Sequence, residues 1–598
     1  MSTRSTAERN TDTSHVDVHP HTAGGKYSTW FGPESESLFG TVHVPEGGRV
    51  RGGVILCPPL GKEQVDSYRG LTLLAQKLCD SGLLVLRFDY FGTGDSAGDQ
   101  DSVDIVSRWI RSVVSAAQFV RASGVDAVAL VGLRAGALLS AAAFSEVGPL
   151  TAVALWDPVV RGRSYLREQR ALYSVSVTQD SDEDARVSII GAVLHPDVGS
   201  DLAALDISKL EPLGCPVLVA TRPERADAKP IRTLVEKQNA EERTLSDHEL
   251  FLEPSDFEVV MPTADITHLA RWLSDRFIGS DAPVTVPLRD RAEFSSGENA
   301  VVETTQSLGP NALFAIRTTS PSCATGGPTL VLYPTANEHR VGPVRLWVEI
   351  ARYLAAHGVS VLRFDRRGTG ESGPVSDNEI TELYSEEGNQ DALTAVQQAG
   401  AGPRNVMVSG MCSGSWYSSF AAAELGVNSV VLLNTLDWTT KRLEFVKRSS
   451  MVHEDKGFVA STLDRLHHVG VRVKNGLQPS MPYRVWLWLG LRGLIQVPEI
   501  SLRMLESKNV KTTVLLSPKD TAWFVDNRGP EGMRRLRKQS DTRSGSTTVK
   551  SFEVGDHSLY SRDLRETVRR ELVDAVNEAF DMEIGLPAPP VPVRWQPL

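Results

Sequence analysis

The chain has few cysteines, no long apolar run and no surplus of positive charge. Five cysteines occur in 598 residues, and no two form a CxxC pair. That argues against a disulfide framework or a zinc site, and it suits a reducing, cytoplasmic setting. No stretch of about 18 uncharged apolar residues exists, so no membrane span is expected. The formal net charge is −11, which argues against a nucleic-acid partner. The opening residues, MSTRSTAERN onward, lack the apolar core of a secretory signal and read as a disordered tail over 1–26. The end, PAPPVPVRWQPL, is Pro-rich and reads as an extended tail over 586–598. No cofactor and no metal is expected.

What the chain does have is length and a repeat. A single hydrophobic core does not extend over 598 residues, so two large domains are expected. Residues 87–99, RFDYFGTGDSAGD, match 363–373, RFDRRGTGESG, at an offset of 276. At the same offset VILCPPL at 54–60 matches LVLYPTA at 330–336; further up, SLFGTVHV at 37–44 resembles ALFAIRTT at 312–319. VGLRAG at 131–136 matches SGMCSG at 409–414. Four segments in one order signal an internal duplication.

Each half reads as a strand (Val54–Cys57; Thr329–Tyr333), a Pro-containing loop and a helix (Gly70–Ser81; Arg345–His357). A second strand then enters RFD and a Gly turn. After a further helix and strand comes a tight Gly-x-x-x-Gly turn. Alternating strands and helices predict a mostly parallel sheet with helices on both faces. The expected domains are 27–277 and 307–585, joined by a Ser/Gly/Asp/Pro-bearing linker over 278–306.

The Gly-x-x-x-Gly turns carry the chemistry. In an α/β hydrolase the nucleophile sits at the apex of such a strand-to-helix elbow, where the helix N-terminus favours a developing anion. In the second half the apex of Gly410-Met411-Cys412-Ser413-Gly414 is Cys412. A thiolate is a strong nucleophile, so the exchange of hydroxyl for thiol is chemically sound. The order of the fold is nucleophile, acid, His. Asp520 in VLLSPKD and His557 in FEVGDH follow in that order. His557 would take the thiol proton and Asp520 would orient the ring. Asp556 is the other acid candidate. Ser413 lies one residue past the apex, so its N–H suits an oxyanion donor. A second donor is expected from Thr335 or Ala336. The plain alternatives are a Cys412 that only fills space and a His557 that is a surface loop residue.

The first half fails this test. Its elbow, Gly132-Leu133-Arg134-Ala135-Gly136, has Arg134 at the apex, and a guanidinium is no nucleophile. FEVVMP at 257–262 reads as the counterpart of FEVGDH, which places the His position near Pro262. Glu224 in TRPERAD reads as a remnant acid. Arg134 either binds an anion or is held in structural salt bridges.

These motifs resemble a known family. The second half, through RVGPVRLWVEIARYLAAHGVSVLRFDRRGTGES and GMCSG, resembles the exosortase-A-system-associated hydrolases of the first type. The first half, through CPPLGKEQ, RFDYFGTGDSAGD, GLRAGALL and WDPVV, resembles those of the second type. The resemblance implies a serine-aminopeptidase-like α/β-hydrolase fold, acyl chemistry, and elbow residues characteristic of each type. The fusion in one chain departs from the separate proteins of that pair.

Between elbow and acid loop the second half has an insertion, Asp437–Glu506, containing MPYRVWLWLGLRGLIQVP. Its aromatic, apolar helix reads either as a lid over an acyl pocket or as a packed helix. The shorter insertion of the first half, VVRGRSYLREQRALYS, is basic and reads either as a face for an anionic carrier or as solvated surface. The expected activity is Cys-dependent acyl transfer, as thioesterase, esterase, acyltransferase or cyclase, in polysaccharide or natural-product assembly. The substrate would be a hydrophobic ester or thioester, free or linked to CoA or a carrier protein. A homodimer is compatible with the sequence. The competing readings are a binding scaffold of two vestigial domains and a Cys-based lyase or isomerase.

Overall fold

The computed structural model describes residues 19–177, 185–246, 248–252, 260–297, 299–375, 382–438, 481–539, 547–586 and 593–598. The first half builds an eight-stranded sheet. Its strands are β1 (Gly25–Phe31), β2 (Leu38–Val44), β3 (Gly53–Cys57), β4 (Leu84–Phe88), β5 (Val128–Leu133), β6 (Ala152–Trp156), β7 (Val217–Thr221) and β8 (Glu241–Thr244). They lie in the order β1-β2-β4-β3-β5-β6-β7-β8. Only β1 and β2 run against their neighbours.

The second half repeats this order and extends it at both edges. Its ten strands are β9 (Arg291–Ser296), β10 (Asn299–Leu308), β11 (Leu313–Thr319), β12 (Thr329–Leu332), β13 (Ser360–Phe364), β14 (Val406–Met411), β15 (Ser429–Leu433), β16 (Lys511–Leu516), β17 (Thr547–Phe552) and β18 (Trp595–Pro597). They lie in the order β9-β10-β11-β13-β12-β14-β15-β16-β17-β18.

Apolar runs in the central strands bury both faces. Val54 and Leu56 of β3 pack with α1 (Lys62–Asp80), while Ile55 and Cys57 pack with α2 (Ile105–Ala122) and α3 (Ala135–Ala143). In the second half Leu330 and Leu332 face α4 (Leu346–Ala356), while Val331 faces α5 (Glu386–Gln397) and α6 (Ser413–Leu425). Alternate side chains therefore point into two separate layers, as a parallel sheet with helices on both faces requires.

Several expectations change. The first helix begins at Lys62, two turns before the expected Gly70. The presumed linker 278–306 is largely strand, because β9 and β10 form a hairpin whose polar outer face disguised it. Residues 19–21 of the presumed tail pair with Val286–Leu288, and residues 1–18 lie outside the described residues. In the Pro-rich end, β18 adds an edge strand to β17.

The two domains meet through an exchange of charges that follows the repeat. Arg87 on β4 donates to both oxygens of Glu371 in the other domain, at 2.7 and 2.9 Å. Its counterpart Arg363 on β13 donates to Asp95 at 2.5 Å. Arg69 donates to the carbonyls of Gly370 and Ser372, and its counterpart Arg345 donates to those of Gly94 and Ser96. Thus each GTG turn is gripped by an arginine of the opposite domain. Phe39 and Phe314, also counterparts, meet with ring centroids 6.2 Å apart, and Arg340 lies over both.

Glu371 is fully buried and also receives Tyr68 at 2.6 Å. Burial pushes its carboxyl up, but Arg87, Lys26 and Arg340 outweigh that and hold it well below the usual carboxylate range. A group depressed in the folded state stabilises above its unfolded pKa, and loses that contribution as pH falls through the folded value. Glu371→Ala should therefore cost about 3–5 kcal/mol, because it strands Arg87 in the interface. It should also flatten the acid limb of the stability curve. Urea melts of both proteins from pH 7 to pH 3 test this, and equal midpoints at pH 7 would refute it.

Candidate active site

At the turn from β14 into α6, Cys412 has φ 52° and ψ −116°. A non-glycine residue there is strained by about 1–3 kcal/mol, and the surroundings must enforce it. They do. A Cβ at Gly410 would lie 2.2 Å from the Gly414 carbonyl, and one at Gly414 would lie 2.8 Å from that of Pro334. Ser415 Oγ donates to the Gly410 and Leu433 carbonyls and accepts from Leu433 N, which pins the turn to β15. The apex side chain is thereby lifted off the strand, though Cys412 remains buried.

The acid and the histidine converge on this apex from two other loops. Asp520, in the first turn of the helix after β16, is wholly buried and accepts from Ser517 Oγ. His557 Nδ1 lies 2.8 Å from Asp520 Oδ1. Burial works against the imidazolium, but the hydrogen bond to Asp520 and the neighbouring Cys412 outweigh it and raise the His557 pKa to about 10. Asp556 is engaged elsewhere: its carboxylate accepts the N–H groups of Ser558, Tyr560 and Ser561 and shapes the His loop.

The two loops are tied by a residue that the sequence reading missed. Asn434, just after β15, has φ 46°. Its amide donates to the His557 carbonyl at 2.7 Å and accepts from Ser517 N at 2.8 Å. No motif flagged it. Tyr384 was missed too. It is buried edge-on to Trp416, and burial followed by the nearby Cys412 holds its hydroxyl well above the ordinary range.

The expected oxyanion donors divide. Ser413 N lies in the first turn of α6, where helix N–H groups have no partner within the helix. Thr335 is buried, and its Oγ1 has no partner among the described residues. Ala336 does not fit its expected role: its N–H is already donated to Ser413 Oγ at 2.8 Å. The lid expectation falls partly on 439–480, outside the described residues. Of its described part, Tyr483 and Trp486 pack beneath Arg528, while Trp488, Leu491 and Leu494 are 50, 58 and 64% exposed.

The first domain has the same elbow with a cation at its apex. Arg134 takes φ 52° and ψ −119°, nearly the geometry of Cys412. It is buried, and it pairs with Glu63 at 2.9 Å, Glu168 at 3.2 Å and Asp157 at 3.4 Å. Of the two readings, the structure favours salt bridges over an open anion site, because carboxylates already surround the fork. Arg225 stands where Asp520 stands, four residues past its strand. Asp157 stands where Asn434 does, with φ 41°, and accepts from Arg222 and Arg225 at 3.0 and 3.1 Å. Glu224 is no remnant acid: it is exposed and lies 3.6 Å from Arg222.

The His position also moves. The strand matching β17 is β8, so the counterpart of GDH at 555–557 is SDH at 246–248 and the His position is His248, not the vicinity of Pro262. His248 is buried against Trp156. Burial, then the surrounding arginines, pull its pKa down to about 4 despite Asp157. The S-D-H triplet was the signal that could have revealed it.

Comparison with known proteins adds similarity of fold alone. No family model matches the chain, and no curated protein matches it. Among solved structures it is similar to Est1E from Butyrivibrio proteoclasticus, at 13% identity and TM-score 0.32, covering 42% of this chain and 98% of that one. It is also similar to an alpha-beta serine hydrolase homologue from Coxiella burnetii, at 15% identity and TM-score 0.28, covering 42% and 97%. A third is the proline iminopeptidase of Mycobacterium smegmatis, at 14% identity and TM-score 0.30, covering 42% and 99%. Both halves have the α/β-hydrolase fold. That assignment rests on the two repeated strand orders and the two elbows.

Two expectations follow. A histidine whose pKa is raised by folding stabilises fully below its unfolded value near 6.5, and the contribution is lost as pH rises through about 10. In Asp520→Asn the His557 ring, followed by NMR, should titrate at or below 6.5; an unchanged midpoint would show that Asp520 does not hold the proton. Arg134→Ala should destabilise the protein by about 3–5 kcal/mol, since it leaves the largely buried carboxylate of Glu63 without its partner. Thermal unfolding measures this, and a neutral outcome would remove the structural role.

Proposed function

We propose that the C-terminal domain is a Cys-dependent acyl-transfer enzyme and that the N-terminal domain is a non-catalytic partner. One observation carries this: His557, held at 2.8 Å by buried Asp520, lies close enough to the thiol at the apex of a strained elbow for Cys412 to help raise its pKa. In the reaction His557 accepts the Cys412 proton, and the sulfur attacks an ester or thioester carbonyl carbon. The carbonyl oxygen gains negative charge beside Ser413 N and Thr335. The tetrahedral adduct then expels alkoxide or thiolate, which takes the proton from His557, and an acyl-thioester remains on Cys412. Water, an alcohol or an amine next gives a proton to His557 and attacks the thioester. The C–S bond breaks and His557 returns the proton to the sulfur.

Buried Tyr384 and Trp416 beside the elbow, with the exposed Trp488, Leu491 and Leu494, support a hydrophobic acyl group. The likeness to exosortase-associated hydrolases supports a place in polysaccharide or natural-product assembly. One observation favours the binding-scaffold reading instead: Ala336 N–H is taken by Ser413 Oγ, so one expected oxyanion donor is not in place.

Intact-protein mass spectrometry after incubation with short and long acyl thioesters tests the reading. The expected result is an acyl adduct, or product release, that disappears in Cys412→Ala while Arg134→Ala retains it. Full turnover by Cys412→Ala would refute the mechanism. No adduct and no product from folded wild type would leave the scaffold reading in its place.

A further inference from the structure

Between the two domains, away from Cys412, lies a groove of about 600 Å³. One wall comes from the N-terminal domain, around 97–101 with Arg186 and Val193. The other comes from β9, α4 and the first turns of α7 (Arg562–Phe580). The volume is in the range of sites for small organic ligands.

Its polar wall is incomplete. Arg565 is only 5% exposed, yet its Nε and Nη1 meet no hydrogen-bond acceptor among the described residues. Arg569, one turn later and lining the same groove, has a buried Nε in the same condition, and its Nη1 lies only loosely on Glu566, at 3.9 Å. Buried guanidinium N–H groups without acceptors are costly, and a native site normally satisfies them. The other deep arginines are already committed: Arg345 to the Gly94 and Ser96 carbonyls, and Arg352 to Glu303 and the Asp95 and Ser96 carbonyls. Glu349 shares the wall, where burial pushes its carboxyl up and Arg565 pulls it down. Two neighbouring guanidinium groups with open nitrogens match the two or three oxygens of a carboxylate or phosphate.

The groove also leads towards the catalytic loops. Gln100 and Arg345 line both it and a smaller cavity, and that cavity is bounded by Glu338 and Tyr560. Tyr560 is three residues past His557, and Glu338 closes the loop that carries Thr335.

We propose that the groove binds an oxyanion, a phosphate ester or a carboxylate, gripped by Arg565 with Arg569, and that the rest of the same ligand runs past Gln100 and Arg345 towards the His557 loop. The first half stands without the acyl-transfer reading. The second half rests on it and makes the oxyanion a handle of the substrate.

Calorimetric titration of the full chain with phosphate, pyrophosphate and succinate tests the first half. One chemistry should bind saturably, and about tenfold or more weaker in Arg565→Gln and in Arg569→Gln. Cys412→Ala should bind like wild type. Arg569 is partly exposed, so its variant stays informative if Arg565→Gln is unstable. Binding of the phosphates alone assigns a phosphate ester; binding of succinate alone assigns a carboxylate. No binding by any probe, or equal binding by wild type and both arginine variants, would overturn the site. For the second half, the saturating anion should slow acylation at Cys412. Acylation unaffected by bound anion would overturn the path. Anion binding without any acylation would sink the acyl-transfer reading and the path resting on it, and would leave the oxyanion site standing.

Discussion

Each domain places a carboxylate inside the other, and neither carboxylate makes sense alone. Asp95 and Glu371 sit on matching GTG turns, and each is received by the matching arginine of the opposite sheet, Arg363 and Arg87. A buried charge without a partner costs several kcal/mol, so separating the domains would leave Asp95, Glu371 and Arg87 to rehydrate, while Arg363 keeps Glu303. The interface is therefore part of the fold of each domain rather than a contact made after folding. It repeats its own contacts across the duplication, as a two-fold dimer does, within one chain.

The strained elbow shows what was kept and what changed. Cys412 and Arg134 share nearly the same φ and ψ, and both turns require glycines where any Cβ would meet backbone. The backbone device is thus independent of the chemistry placed on it. In the second domain the surrounding positions hold Asp520, His557 and Asn434, the set that moves one proton in the proposed mechanism. In the first they hold Arg225, His248 and Asp157, with Arg134 at the apex, a set that moves none. His248 there is held neutral by burial and by the cations around it. The same topological positions hold ion pairs in one copy and, in the proposed mechanism, a proton relay in the other.

Much of this was legible in the sequence, because the duplication marked the same segments twice. The central strands, the elbows and the order Cys412, Asp520, His557 needed only motif and spacing. What was not legible depended on pairing partners. β8 reads Glu-Glu-Arg-Thr and is exposed, so no apolar pattern announced it, and only its register beside β7 reveals His248 as the His position. β9 and β10 looked like a linker because an edge hairpin carries a polar outer face. The RFD and GTG segments were visible as a repeat, but their purpose lay in residues of the opposite half of the chain.

The interface and the site are connected by the loop after β12. From Pro334 onward it supplies Thr335 beside the elbow, then Glu338 in the interdomain cavity, then Arg340 between Asp95, Asp365 and the two facing phenylalanines. Six residues thus run from the oxyanion side of the thiol to the centre of the domain contact. Between them Ala336 is anchored by Ser413 and Arg366, so the short segment is pinned at the elbow as well as at the interface. The first domain thus holds one end of a loop whose other end lies beside the elbow of the second.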